Sequence, residues 1–259
     1  MSELGEQVAA IAAEAGRLAI ARWETDFKRW EKVPGSPVCE VDLEIDALLR
    51  QRLTALVPEA GWLSEETIDN ADRLTARRLW VVDPIDGTRD YLRARPGWAV
   101  SVALIEDGQP IIGVLDAPAR GEKWIAEAGQ GAWRNGVRLQ VGDRLQLAGA
   151  RVPADQLPQV DRDLAMVAKP NSIALRIAMV AADEADLLAT IRWGNEWDIA
   201  AALLIAQEAG ATVTDAFGDA IDFNTPAARA FGVLATAPAI HAAAVERLAD
   251  RAKEAIGQH

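Results

Sequence analysis

Asp83 and Asp86 stand three residues apart in the stretch Leu79-Trp-Val-Val-Asp83-Pro-Ile-Asp86-Gly-Thr88, an apolar run that ends in two acids, a proline, a glycine and a hydroxyl. Pro84 pushes Asp83 toward an extended backbone and removes one donor, so a regular helix or ladder is not expected to run through the two carboxylates. Gly87 lets the chain turn sharply or approach a ligand closely. The stretch reads as a strand ending in a turn whose tip presents both acids. Two anionic oxygen donors held that close repel each other unless a cation sits between them. Mg²⁺ fits, because it is bound by a few carboxylates, waters and substrate phosphate. A solvated acidic turn at a strand end is the alternative reading of the same spacing.

Three further acids, Asp42, Glu65 and Asp198, fall at the ends of expected elements or in loops, where functional groups are commonly placed. Asp42 lies at the first turn of an expected helix and is either a cap favoured by the dipole or a functional acid. Thr88 opens a short Arg-Asp-Tyr-Leu turn and is either an N-cap or part of an anion site. Hydrolysis of a phosphate monoester is one chemistry with which such a set is compatible. That reaction needs a water in line and positive charge on the attacking and leaving oxygens, which clustered metals supply. A metal-activated water requires only a weak base, so no histidine is needed.

The rest of the chain narrows the possibilities. Its 259 residues suit one large α/β unit or two subdomains around a shared cleft. A net charge of -12 argues against a nucleic-acid polymer as partner, although bound cations can invert the local field for a small anion. Cys39 is the only cysteine and the two histidines are His241 and His259, which weakens zinc sites and histidine-based catalysis. No signal peptide and no apolar run of membrane-spanning length are seen, so no membrane role and a cytoplasmic location are expected. Nine of the fourteen aromatic residues are tryptophan, a bias that the sequence alone does not explain.

Periodicity supplies the elements that position these acids. A helix is expected from Ser2 to about Trp23, then an irregular Pro- and Gly-containing connection from Lys32 to Asp42. A second helix carries Ile45, Leu48, Leu49, Leu53 and Leu56 on one face. Gly61–Ser64 reads as a strand running into a loop at Glu65-Glu66, and 68–78 as a mobile flap or a short helix. Strands follow at 98–105, 110–115 and 123–126, with hairpin turns at Asp107-Gly108 and Asn135-Gly136. The glycines between 129 and 136 read as turn residues, since no Gly-Lys-Ser/Thr ending follows them. Residues 141–163 carry the weakest pattern and are expected to hold a boundary between subdomains 1–140 and 141–259. Beyond it come a strand at 164–168, a helix at 172–182 and a strand at 186–191. An alanine-rich helix opens at Asn195-Glu-Trp-Asp198 and stops at Gly210. Strands at 212–214 and 231–236 and a helix from about 238 to 255 complete the chain.

Taken together the motifs resemble the inositol monophosphatase family. Trp80-Val-Val-Asp83-Pro-Ile-Asp86-Gly-Thr88 is similar to its W-x-x-D-P-[IL]-D-G-T signature. Ser64-Glu65-Glu66 resembles its upstream acidic element, and Trp197-Asp198-x-Ala-Ala with Glu-Ala-Gly210-Ala its downstream one. The resemblance runs from about Lys32 to Leu234. It implies a layered α-β-α-β-α sandwich and a Mg²⁺-dependent phosphatase with two or three ions per site and inhibition by Li⁺. It implies that Glu65, Asp83, Asp86 and Asp198 are metal ligands, with the Ile85 carbonyl, and that Asp42, Glu65 and Thr88 position and deprotonate water. Gly87 and Thr88 would hold phosphate, and Asp86 and Asp198 would face the substrate. Cys39 departs from the family threonine and is expected to be a small buried group. The segment between Asn135 and Ser172 looks shorter than in many relatives, which leaves substrate choice and a homodimer open.

Arg89-Asp90-Tyr91, Ser64-Glu-Glu and Glu196-Trp-Asp look more like the branch that cleaves 3'(2'),5'-bisphosphonucleosides than the inositol-1-phosphate branch. Lys169 and Arg176 are candidates to hold a second phosphate, or else solvated surface charges. Other phosphatase chemistries fail on spacing. Six residues after Cys39 stands Ile45 rather than arginine, and no aspartate pair separated by one residue lies at a strand end. A catalytically dead metal- or phosphate-binding module is the non-enzymatic alternative, opposed by the filled catalytic positions.

Overall fold

The computed structural model describes residues 1–33 and 36–257. Pro34, Gly35 and His259 of the sequence reading lie outside the described residues. The N-terminal helix α1 (Glu3–Arg22) starts where Ser2 Oγ accepts the Gly5 N–H at 3.1 Å. The connection expected to be irregular is instead a hairpin of β1 (Arg29–Val33) and β2 (Ser36–Cys39). Residues 29–32 of β1 are all exposed, and among the described residues of β2 only Val38 and Cys39 are buried, so the ribbon leaves no apolar alternation to read. Helix α2 (Glu40–Leu56) then buries Ile45, Leu49 and Leu53.

Two short segments follow, β3 (Gly61–Ser64) and β4 (Arg78–Asp86), which pair in parallel. The link between them contains a 3₁₀ turn over Ala71–Thr75, so of the two readings of 68–78 the short helix is the one seen. Strand β4 runs through both carboxylates rather than stopping before them. Its register nevertheless breaks there: Asp83 faces Ser101 and Asp86 faces Ala99. Three residues advance against two because Pro84 has no N–H to give the ladder. Gly87, at φ 96°, turns the chain into the four-residue helix α3 (Thr88–Tyr91). The sheet continues antiparallel through β5 (Ala99–Glu106), β6 (Gln109–Ala117), β7 (Glu122–Glu127), β8 (Gly131–Arg134) and β9 (Val137–Arg138).

After β9 the strands belong to other sheets. β10 (Arg151–Pro153) and β11 (Ala165–Val167) form a small parallel pair. Helix α4 (Ile173–Ala181) leads to β12 (Leu187–Asn195), α5 (Glu196–Glu208), β13 (Thr212–Thr214), β14 (Arg229–Thr236) and α6 (His241–Ile256). The second sheet has the order β12-β14-β13.

Alternation along β4 assigns the layers. Trp80 and Val82 pack with Val8, Ala12, Ile45 and Leu49 of α1 and α2. Leu79 and Val81 face the other way, into a core with α4 and α5 that continues to Leu188, Val213 and Val233 of the second sheet. Leu187 and Leu234 then meet Ala244 and Leu248 of α6. The order is therefore helix, sheet, helix, sheet, helix. The tryptophan bias has a physical setting here. Trp80, Trp98 and Trp124 are among the largest fully buried side chains, and they fill volume opposite alanine-rich helices. Close approach is extreme at Gly113, where an added Cβ would stand 2.5 Å from the Ala201 carbonyl oxygen of α5. Among the described residues no helix is long and apolar enough to cross a membrane.

Candidate metal centre and active site

The central helical layer delivers Asp198 to the end of β4. Helix α5 starts at Glu196, and Asp198 at its third position accepts the Asn195 N–H at 3.2 Å. Asp83, Asp86 and Asp198 each offer a carboxylate oxygen, and these atoms lie within 4.8 Å of one another. Asp83 Oδ1 accepts the Ile85 N–H at 3.0 Å. Asp86 is held by the start of α4: the Ser172 hydroxyl donates to Oδ2, and the Ile173 and Ala174 N–H groups donate at 3.3 and 2.8 Å. The positive end of that helix favours the charged carboxylate.

Burial is nevertheless the largest influence on all three acids. It pushes Asp83 well above the usual carboxylate range, with Glu65, Asp86 and Asp198 adding repulsion. Asp86 rises to about 6, restrained by its bonds to Ser172 and Ala174. Asp198 rises to about 7 through burial and the charges of Asp86 and Glu65. Three hard oxygen donors that repel one another in a shared buried space could hold a divalent cation such as Mg²⁺.

Glu65 lies outside this trio. It follows β3, its N–H donates to the Val82 carbonyl at 3.3 Å, and its carboxylate accepts from Lys32 Nζ at 3.2 Å. Its charge still raises Asp83, Asp198 and Asp42. Lys32 also pairs with Glu66 at 2.5 Å. Asp42 is the cap of α2 as well as a neighbour of the site. Its Oδ2 accepts the Cys39 N–H at 2.8 Å, and burial lifts it to about 6. Cys39 is buried and its thiol is pushed upward by burial and by Asp42. The Thr88 hydroxyl donates to the Ile85 carbonyl at 3.0 Å, leaving that oxygen a second lone pair. Gly87 and Thr88 lie at the start of α3, where the first amides have no intrahelical acceptor.

The expected substrate cations differ in setting. Arg89 is exposed on α3. Lys169 pairs with Asp155 at 2.6 Å. Arg176 is half-buried on α4 and donates to the Ser172 and Asn171 carbonyls at 3.2 and 3.0 Å. Burial lowers its pKa while Asp86 and Asp198 act in the opposite direction, so it is not a solvated surface charge. Lys169 and Arg176 line a cavity of about 660 Å³ walled by Val152, Leu164, Leu187 and Leu248.

Three residues at the site were not singled out by sequence reasoning. Ser172 was legible as a helix start, but not as a partner of Asp86. Lys32 carried no local signal. Arg192 lies where β12 bulges between Thr190 and Trp193, beside Asp198.

The layered frame and its buried carboxylates define the class, a metal-dependent phosphatase. The chain belongs to the inositol monophosphatase family, whose model matches residues 1–256. Members of this family are phosphoric monoester hydrolases that act on small phosphorylated substrates, typically with Mg²⁺. The chain is 34% identical over 190 residues to a "fructose-1,6-bisphosphatase/inositol-1-monophosphatase" of Thermotoga maritima, covering 70% of this chain and 72% of that protein. It is 29% identical over 241 residues to the "3'(2'),5'-bisphosphate nucleotidase CysQ" of Aggregatibacter actinomycetemcomitans, covering 86% and 88%. Among solved structures, the Thermotoga maritima IMPase superposes with a TM-score of 0.82 at 28% identity, covering 95% of this chain and 96% of that one.

Proposed function

We propose that this phosphatase is a Mg²⁺-dependent 3'(2'),5'-bisphosphate nucleotidase, converting adenosine 3',5'-bisphosphate to AMP and phosphate. In this reading Asp83, Asp86 and Asp198 hold the metal, with Glu65 and the Ile85 carbonyl adding ligands for two or three ions. When bound, the ions put charge on the attacking and leaving oxygens and acidify water. Asp42, with Glu65 and Thr88 helping to position the attacking water, would accept its proton. A base held near pH 6 by burial suits that task at neutral pH. The amides of Gly87 and Thr88 receive the scissile phosphate. Li⁺ inhibition belongs to the same proposal.

The observation that carries the substrate choice is Arg176. It lines the cavity of about 660 Å³ and also feels the charges of Asp86 and Asp198. A bisphosphonucleoside with its scissile phosphate at the carboxylates can set its other phosphate on Arg176 and Lys169, with its apolar part against Leu187 and Leu188. The relative named as CysQ matches a larger share of the chain than the one named for fructose 1,6-bisphosphate and inositol 1-phosphate. Inositol-1-phosphate phosphatase is the second reading, favoured by the higher identity of that other relative.

Steady-state kcat/KM on adenosine 3',5'-bisphosphate and on inositol 1-phosphate separates the two. The bisphosphate is expected to be preferred at least about tenfold, the size of one charge-assisted hydrogen bond. Arg176→Met removes that preference and leaves inositol 1-phosphate turnover within about threefold. A wild-type preference for inositol 1-phosphate rejects the first reading.

A further inference from the structure

Glu196 entered the sequence reading as part of a Glu-Trp-Asp motif, yet its carboxylate does not join the acidic trio. It is fully buried and turned to the loop before β14. Its Oε2 accepts the Asn224 N–H at 2.8 Å, and its Oε1 accepts the Thr225 N–H and hydroxyl at 2.9 and 2.6 Å. The same two loop residues are also held by Arg73, in the 3₁₀ turn that follows the Glu65-Glu66 loop. Arg73 Nη1 donates to Asn224 Oδ1 at 2.8 Å, Nη2 donates to the Thr225 carbonyl at 3.0 Å, and Asn224 Nδ2 returns a bond to the Arg73 carbonyl at 3.0 Å. Asp69 completes the fork on Nε and Nη2 at 2.6 and 2.9 Å. Arg73 is 3% exposed.

Burying an arginine and a glutamate is a poor way to gain stability. Their desolvation cancels most of the attraction, and apolar replacements of equal volume are commonly as good. What such a bridge does supply is a fixed geometry. The two segments it joins carry different parts of the site. Arg73 belongs to the segment running from Glu65 to β4, and Glu196 stands two residues before Asp198 at the start of α5. The loop between them is further pinned to the large sheet, because the Phe223 N–H donates to the Gly108 carbonyl at 3.1 Å. Metal affinity depends on ligand oxygens being held to within a fraction of an ångström, and on the groups that hold the ligands.

We propose that the Arg73–Asn224/Thr225–Glu196 bridge fixes the Asp198 end of α5 against the link between β3 and β4, and through β4 against Asp83 and Asp86, making Arg73 a positioning residue for divalent-metal binding. The proposal rests on the metal reading above. It is tested on the full chain by the Mg²⁺ concentration that half-saturates binding in titration calorimetry, read alongside the rise in Tm at one fixed Mg²⁺ concentration. Arg73→Lys keeps the charge but loses the fork. Asn224→Gly removes the side chain while relieving a backbone held at φ 62°. Arg151→Lys is the control, because Arg151 makes a more exposed fork to the Asp183 and Asp186 carboxylates that touches none of the site residues.

Both bridge variants are expected to need about tenfold or more Mg²⁺, the usual cost of losing a group that orients a ligand, with kcat recovered at saturating metal. The control is expected to match wild type. Half-saturation within twofold of wild type in both bridge variants overturns the proposal, as does an equal shift in Arg151→Lys. If wild type itself shows no Mg²⁺-induced rise, it is the metal reading that fails.

Discussion

Replacing Asp83 by asparagine should make the metal-free protein more stable and the metal-loaded one useless. The side chain keeps its shape and the oxygen that accepts the Ile85 N–H, so β4 has no steric reason to change. The charge disappears from a trio whose oxygens lie within 4.8 Å. At that separation each ionised pair repels by about 3–4 kcal/mol at an effective dielectric near 20. Because the acids share protons near neutrality, the relief realised at pH 8 should be about 1–3 kcal/mol. For a chain of this size that is a rise of roughly 2–6 °C in Tm. The same substitution removes a ligand, so the further rise on adding Mg²⁺ should vanish, and kcat should fall by about 10³ or more with the lost electrostatic stabilisation. Differential scanning calorimetry at pH 8, in chelator and then in excess Mg²⁺, reads both effects on one sample. A variant less stable than wild type in chelator, yet still stabilised by Mg²⁺, refutes the reasoning.

Two other outcomes follow from the same geometry. Asp42, Asp83, Asp86, Asp198, Glu66 and Asp116 all have carboxyl pKa values raised by burial, so the folded chain holds more protons than the unfolded one. The chelated protein should therefore be most stable near pH 4, around the unfolded carboxyl values, and lose stability as the pH rises through about 6–7, by roughly 1.4 kcal/mol per pH unit for each proton of difference. His241, lowered by burial, works weakly the other way below its unfolded value. Saturating Mg²⁺ should flatten the loss, and an unchanged slope in calorimetry would contradict it. Gly87→Ala should cost several kcal/mol: its φ is 96° and an added Cβ would stand 2.7 Å from the Gly97 carbonyl oxygen and 2.9 Å from the Ser172 nitrogen. A Tm within about 2 °C of wild type would remove Gly87 from the turn argument.

The sequence revealed those parts that local chemistry decides. Ser2 and Ser172 mark helix starts because their hydroxyls accept from the first turn. Asp107-Gly108 and Asn135-Gly136 mark hairpins because both residues adopt positive φ. The apolar run before Asp83 reads as a strand because it is buried on both faces of a central ladder. What escaped depends on partners far along the chain. Residues 29–32 of β1 are exposed and β10 is only three residues long, so neither carries a period, whereas β11 falls within the strand expected at 164–168. Nothing near Arg73 announces that it binds Asn224, and nothing near Ser172 announces Asp86. Whether Asp198 would meet Asp83 followed from no local feature, only from motif order. The reading of Asp42 as cap or functional acid was a false choice in space: the cap is present and the side chain also feels Glu65.

Crystals soaked in Mn²⁺, a hard cation that accepts the same carboxylate ligands as Mg²⁺ and scatters anomalously, would locate the ion itself. A peak among Asp83, Asp86 and Asp198, within about 2.0–2.3 Å of an oxygen from each, is the expected result. Anomalous density only elsewhere, with these three carboxylates bound to nothing but water, would contradict the assignment of this chain's chemistry to that site.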